Sequence, residues 1–253
     1  PQKRRRTPND NSMVVLYFFI VIVATLLPAA IWLFFFLRED KHPEPKRLLA
    51  YTFAMGGLVT APTLFVQAIS HTFFTQFIYF GDIFVIAVLA LVEEVFKFIA
   101  VYWAVAKRPE LDEPVDYMIY MVVAALGFAT IENLFIVGGK LGSFGAEPLA
   151  GTLSTLSLRF VGATLLHTLS SALVGFYWAK GRFRNESGRR LIEGLILATL
   201  MHSVFNYLVI RFQENLLLYP SLFLLIVGFF VLNDFEELKT EPPTAQINPN
   251  APG

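Results

Sequence analysis

Long, nearly uncharged stretches recur along the whole chain and restrict what it can fold into more than any other feature. They occupy roughly 14–36, 48–69, 83–105, 116–137, 156–178, 191–210 and 215–232. A bilayer's hydrocarbon core is about 30 Å thick, and a helix of about 20 apolar residues crosses it. Each stretch is long enough to cross, or nearly so. Composition agrees: 55% of the 253 residues are hydrophobic and only 16% are charged, against about 25% charged in soluble domains. A soluble chain this apolar has too few polar groups to cover its own surface, so the excess must face lipid. Stretches of alternating polarity are absent, which argues against a transmembrane β-barrel. The expected fold is all-α, a polytopic transmembrane helical bundle of about seven spans over residues 14–232. A basic tail (1–13) precedes it. An acidic, Pro-rich tail (233–253) follows, with a composition that predicts disorder.

Lys3, Arg4, Arg5 and Arg6 precede the first stretch in the manner of a signal peptide. The apolar run from Met13 to Leu37 exceeds the 7–15 residues of a signal h-region, so it reads as a retained helix. Lys and Arg concentrate in the loops after the first, third and fifth stretches, which places those loops on the cytoplasmic side. The basic N-terminus disagrees with that orientation, and the loops are given more weight. Formal net charge is zero, so no basic field points to nucleic acid. Cysteine is absent, which excludes disulfides and thiolate chemistry.

Against this background a few ionisable residues stand out inside the apolar stretches. Glu93, Glu94 and Lys97 lie midway along the third. Glu132 and Asn133 lie late in the fourth, His167 near the middle of the fifth, and His202 and Asn206 past the middle of the sixth. Ionisable groups at the bilayer centre cost about 2.5–3.5 kcal/mol each on insertion scales, so three Glu and one Lys left unpaired cost on the order of 10 kcal/mol. They must therefore face each other or a wet cavity, and such residues are read first as a functional site. Lys97 follows Glu94 by three residues and Glu93 by four, so it can neutralise either carboxylate. His202 and Asn206 share a helix face. With helices alternating in direction, Glu93, Glu132, His167 and His202 all fall between the midplane and the same, extracytoplasmic, face.

This set permits two chemistries. Three Glu and one Lys carry a net −2 with His neutral, which a divalent cation cancels. His and carboxylate are ordinary zinc ligands, so His167, His202 and Glu132 are the candidate metal ligands, with Glu93 or Glu94 as the base that deprotonates water. A metal-free site is the alternative, with Glu as base and His and Asn206 polarising a carbonyl. Two rival classes remain. A proton- or cation-coupled transporter also buries Glu, Lys and His, and a non-catalytic scaffold would scatter the four elements over unrelated faces.

The pattern Glu93-Glu94-Val95-Phe96-Lys97, then Phe128-Ala129-Thr130-Ile131-Glu132-Asn133, then His167 with Gly175 downstream, then His202-Ser203-Val204-Phe205-Asn206 resembles the PrsW-type intramembrane proteases. These are relatives of the CAAX prenyl proteases and of Abi bacteriocin-processing membrane proteases. The segment His42-Pro43-Glu44-Pro45-Lys46 also looks like the PrsW branch, and the likeness covers about 38–210. Glu132 stands where the CAAX branch has His, which favours PrsW over a prenyl-protein protease. The resemblance implies a membrane-embedded peptidase, classed as a metalloprotease, acting in regulated proteolysis of membrane-protein substrates in a bacterial or archaeal cell membrane. The family includes an enzyme associated with site-1 cleavage of an anti-sigma factor. Combined with the residue reading above, this gives Glu93, Glu94, Lys97 and Asn206 as the expected catalytic residues and His167, His202 and Glu132 as the expected ligands of a divalent metal, zinc the foremost candidate. Oligomeric state is left open.

Overall fold

The computed structural model describes residues 10–78, 82–141, 160–184, 186–212 and 218–241. Residues 1–9, 79–81, 142–159, 185, 213–217 and 242–253, which include the basic N-terminal stretch and most of the Gly-rich 138–155 segment, lie outside the described residues. No strand occurs among the described residues, and the seven α-helices match the seven apolar stretches in order. They are α1 (Asp10–Phe36), α2 (Lys46–Phe73), α3 (Asp82–Val105), α4 (Pro114–Leu141), α5 (Leu165–Arg184), α6 (Ser187–Arg211) and α7 (Tyr219–Leu238). By length and composition alone, four of them contain a segment able to cross a membrane: Phe18–Phe36, Lys46–Gln76, Pro114–Ile136 and Gly188–Arg211. The other three carry polar or charged residues within or at the end of their apolar runs. α3 holds Glu93, Glu94 and Lys97, α5 holds His167, Ser170 and Ser171, and α7 ends on Asp234, Glu236 and Glu237.

Three boundaries differ from the sequence reading. The second helix does not stop at 69 but takes in the aromatic stretch from His71. α2 runs through it to Phe73 and continues as a π-helical turn, Phe74–Ile78. α5 is preceded by a second π turn, Phe160–Thr164, and extends to Arg184, because its basic residues are good helix formers once clear of the apolar core. α7 does not stop at 232, so the expected tail begins too early. Its last turns are held by Lys180 of α5, which pairs with Glu237 at 2.6 Å and Glu241 at 2.8 Å.

α4 is the central helix. Val115–Ala129 is buried on every side, and α1, α2 and α5 pack around it. A helix apolar all round belongs in such a position. Lipid tails are as apolar as Leu, so membrane helices associate through close packing, with small residues at the contact. The α2–α4 crossing shows this reciprocally. A Cβ on Gly56 would fall 2.0 Å from the Ala124 carbonyl oxygen, and one on Gly127 would fall 2.0 Å from that of Phe53. At the α4–α5 crossing a Cβ on Gly175 would sit 2.5 Å from the Tyr117 carbonyl oxygen. Large apolar side chains such as Phe19, Leu58, Trp103, Ile196 and Leu225 point outward, the surface a bundle presents to lipid.

Candidate active site

The inner face of α3 is set by helical spacing. Ala90, Glu93, Glu94, Lys97, Ala100, Val101 and Ala104 are all buried, three or four residues apart, so the polar residues point into the bundle with the small ones. α5 and α6 approach that face from one side, and α4 from another. Gly127 lets α4 lie against α2 just before Phe128 and Glu132, which fixes where Glu132 projects.

Glu94 and Lys97 form an ion pair at 2.7 Å, both side chains wholly shielded from solvent. Glu94 Oε1 also accepts from Ser170 Oγ at 3.0 Å and meets His202 Nδ1 at 2.7 Å. The carboxylate requires that His202 Nδ1 carry a proton, which leaves Nε2 as the lone-pair nitrogen. Nε2 lies 3.6 Å from Glu93 Oε2. His167 repeats the arrangement in mirror fashion. Its Nε2 meets Glu132 Oε2 at 3.0 Å, while its Nδ1 lies 3.4 Å from Lys97 Nζ and 3.6 Å from Glu93 Oε2. Each imidazole thus gives one nitrogen to a carboxylate and turns the other toward Glu93. The rings stand 5.2 Å apart at 80°, and the Phe128 ring closes the floor 5.4 Å from His167 and 5.6 Å from the Lys97 ammonium.

Glu93 is held by a residue that sequence reading passed over. Gln67 of α2 donates from Nε2 to Glu93 Oε1 at 2.8 Å and to the Leu89 carbonyl at 3.1 Å. The other oxygen, Oε2, is buried with no hydrogen-bond partner. Donor atoms of Glu93, His167 and His202 all lie within 4.8 Å of one another. Zinc ligands at 2.0–2.2 Å in tetrahedral array are separated by about 3.4 Å, close to the 3.6 Å from Glu93 Oε2 to each imidazole. An orphaned buried carboxylate oxygen between two lone-pair nitrogens is a donor set that fits such an ion.

The residues singled out from sequence therefore meet, with two differences in placement. Glu132 is not one of the three converging donors; it sits on the outer nitrogen of His167. Asn206 is one turn along α6 from His202, half-buried, and makes no side-chain hydrogen bond among the described residues. Ser170, three residues along α5 from His167, is a direct partner of Glu94. Gln67 left one signal, a single amide near the end of an apolar stretch.

A multi-pass helical bundle that assembles carboxylates, imidazoles and an ammonium in its interior fits a membrane-embedded hydrolase and an ion-coupled transporter alike, and similarity to known proteins decides between them. A family model described as PrsW family intramembrane metalloprotease matches residues 44–233, and this chain belongs to that family. It is 28% identical over 212 residues to Protease PrsW of Geobacillus kaustophilus (strain HTA426), covering 83% of this chain and 88% of that one. It is 28% identical over 214 residues to Protease PrsW of Oceanobacillus iheyensis (83% and 93% covered), and 25% identical over 223 residues to Protease PrsW of Bacillus subtilis (strain 168) (83% and 91% covered). No solved structure matches the chain significantly. The protein is an intramembrane protease, a multi-pass membrane protein with bacterial relatives.

Proposed function

We propose that this protease hydrolyses a peptide bond of membrane-protein substrates at a divalent metal held by Glu93, His167 and His202, with zinc best suited to the donors. The observation that carries this is Glu93 Oε2, buried, unpartnered and 3.6 Å from a nitrogen of each imidazole. When bound, the ion would supply Lewis-acid polarisation of the scissile carbonyl and would make water more acidic. Charge supports it: Glu93, Glu94, Glu132 and Lys97 together carry −2 with both imidazoles neutral.

The chain's own groups do the rest. Glu94 holds His202 in the tautomer that presents Nε2, and Lys97 compensates Glu94. Such carboxylate–histidine contacts fix ligand orientation and raise basicity. Glu132 does the same for His167. With 16% of its side chain exposed, against 10% for Glu93 and none for Glu94, it is the least buried carboxylate of the cluster. Glu132 takes the proton from the attacking water and returns it to the leaving amine. Asn206 donates its amide N–H to the developing oxyanion. This exchanges the roles expected from sequence, where Glu132 was a ligand and Glu93 or Glu94 the base. The substrates are membrane proteins entering laterally from the bilayer, with a site-1 cut of an anti-sigma-factor-like protein as the type of step.

The test combines metal analysis with cleavage of a membrane-protein substrate in detergent or proteoliposomes. Glu93→Gln and His202→Ala lose bound metal and cleavage together. Glu132→Gln keeps the metal and loses cleavage by about 10²–10⁴-fold, the usual worth of general acid–base catalysis. Chelation abolishes activity and zinc restores it. Full cleavage after chelation, or a full complement of metal in Glu93→Gln, would overturn the metal assignment.

A further inference from the structure

All three tryptophans of the chain lie toward one end of the bundle. Trp32, Trp103 and Trp178 come near the C-terminal ends of α1, α3 and α5, the helices followed by the Lys- and Arg-rich loops expected on the cytoplasmic side. Tryptophan favours the level of the lipid headgroups, so that level crosses the bundle there. A cavity of about 470 Å³ opens at the same height between the ends of α3 and α5 and the start of α6. Its inner part is aromatic. The Phe98 ring meets Trp178 edge-on at 5.2 Å, and Trp178 meets Tyr117 edge-on at 4.7 Å. None of the active-site residues lines it.

The outer part is basic. Lys107 and Arg182 line it, and no Asp or Glu does. Other cations at this end of the bundle are paired: Lys180 with Glu237 and Glu241, Arg189 with Glu193, Arg190 with Glu186 and Glu193. Lys107 and Arg182 make no ion pair among the described residues. Both are exposed, so their charges stay hydrated until an anion arrives. The Tyr117 hydroxyl lies beside the Arg182 guanidinium, which adds an O–H to the N–H donors on that wall.

The two parts together select the occupant. Lys and Arg are the ordinary partners of phosphate, and basic pockets between membrane helices on the cytoplasmic side take anionic headgroups. A free phosphate would use the basic rim and leave the aromatic slot empty. A neutral lipid would fill the slot and leave both cations without a partner. Eight residues separate Phe98 from Ala106, next to Lys107, about 12 Å of helix. That depth suits a glycerol backbone and the first carbons of an acyl chain below a phosphate. Tyr102, on the cavity wall, is 47% exposed, so the slot is open to the lipid side of α3.

We propose that this cavity binds an anionic phospholipid, its phosphate on Lys107 and Arg182 and its glycerol and upper acyl carbons against Trp178 and Phe98. The test is native mass spectrometry of the full chain, delipidated in an uncharged detergent and titrated with phosphatidylglycerol, phosphatidylcholine or glycerol 3-phosphate. Phosphatidylglycerol is expected to bind at least about tenfold more tightly than phosphatidylcholine, and an equal concentration of glycerol 3-phosphate should not displace it. Each Lys or Arg supports about fivefold of such binding. Lys107→Gln/Arg182→Gln should therefore lose about 10–30-fold in phosphatidylglycerol affinity. Arg189→Gln, which removes an exposed cation outside the cavity, should leave it unchanged. Should the double variant fail to fold, Lys107→Gln and Arg182→Gln, with about fivefold each, carry the test. Equal binding of the two lipids, a preference kept in the Lys107 and Arg182 variants, or an equal loss in Arg189→Gln would overturn the proposal. So would displacement by glycerol 3-phosphate, since the rim alone would then be the site of a free phosphate ester.

Discussion

Lys97→Met tests whether the buried ammonium is there to compensate Glu94. The two groups are 2.7 Å apart with no solvent on either side chain. At an effective dielectric of about 20 their gross attraction is about 6 kcal/mol. Removing one partner of such a pair costs about 3–5 kcal/mol, because the other charge stays buried. Glu94 keeps its contacts to Ser170 and His202, so the lower end, about 3 kcal/mol, is expected. For a chain of this size that is a fall in melting temperature of about 6–12 °C. The double variant Glu94→Gln/Lys97→Met removes both charges while Gln can still accept from His202. It should recover to within about 1 kcal/mol of the parent, as replacement of a whole buried pair often does. Thermal unfolding in detergent, run on both singles and the double as a cycle, gives the coupling directly. A Lys97→Met loss below about 1 kcal/mol, or a double variant no more stable than the single, would refute the compensation argument.

Gly127→Ala forces α2 and α4 apart, since the added methyl would lie 2.0 Å from the Phe53 backbone oxygen. It should lose at least 1–3 kcal/mol and most cleavage as Glu132 shifts, whereas Gly188→Ala, with nothing within 4 Å, should leave both unchanged. Gln67→Ala frees Glu93 Oε1 and should weaken metal affinity or cleavage about 10–100-fold with little change in melting temperature; parental values in both assays would remove Gln67 from the site. Lys180→Ala unties the last turn of α7 and should speed hydrogen exchange at 234–241 while costing only about 1 kcal/mol, because its partners Glu237 and Glu241 are partly exposed.

The membrane fold was legible in the chain alone, because the length and apolarity of each stretch answer to the thickness of the bilayer and to nothing tertiary. The same holds for the identity of the polar cluster. Glu93, Glu94, Lys97, Glu132, His167 and His202 announce themselves by the cost of placing them in hydrocarbon. Only the tertiary structure decided which nitrogen of each imidazole faces inward, that Glu93 rather than Glu132 stands between them, and that Gln67 and Ser170 belong to the group. Those facts depend on helix rotation and crossing distance, set by close approaches at Gly56, Gly127 and Gly175 to backbone far away in sequence.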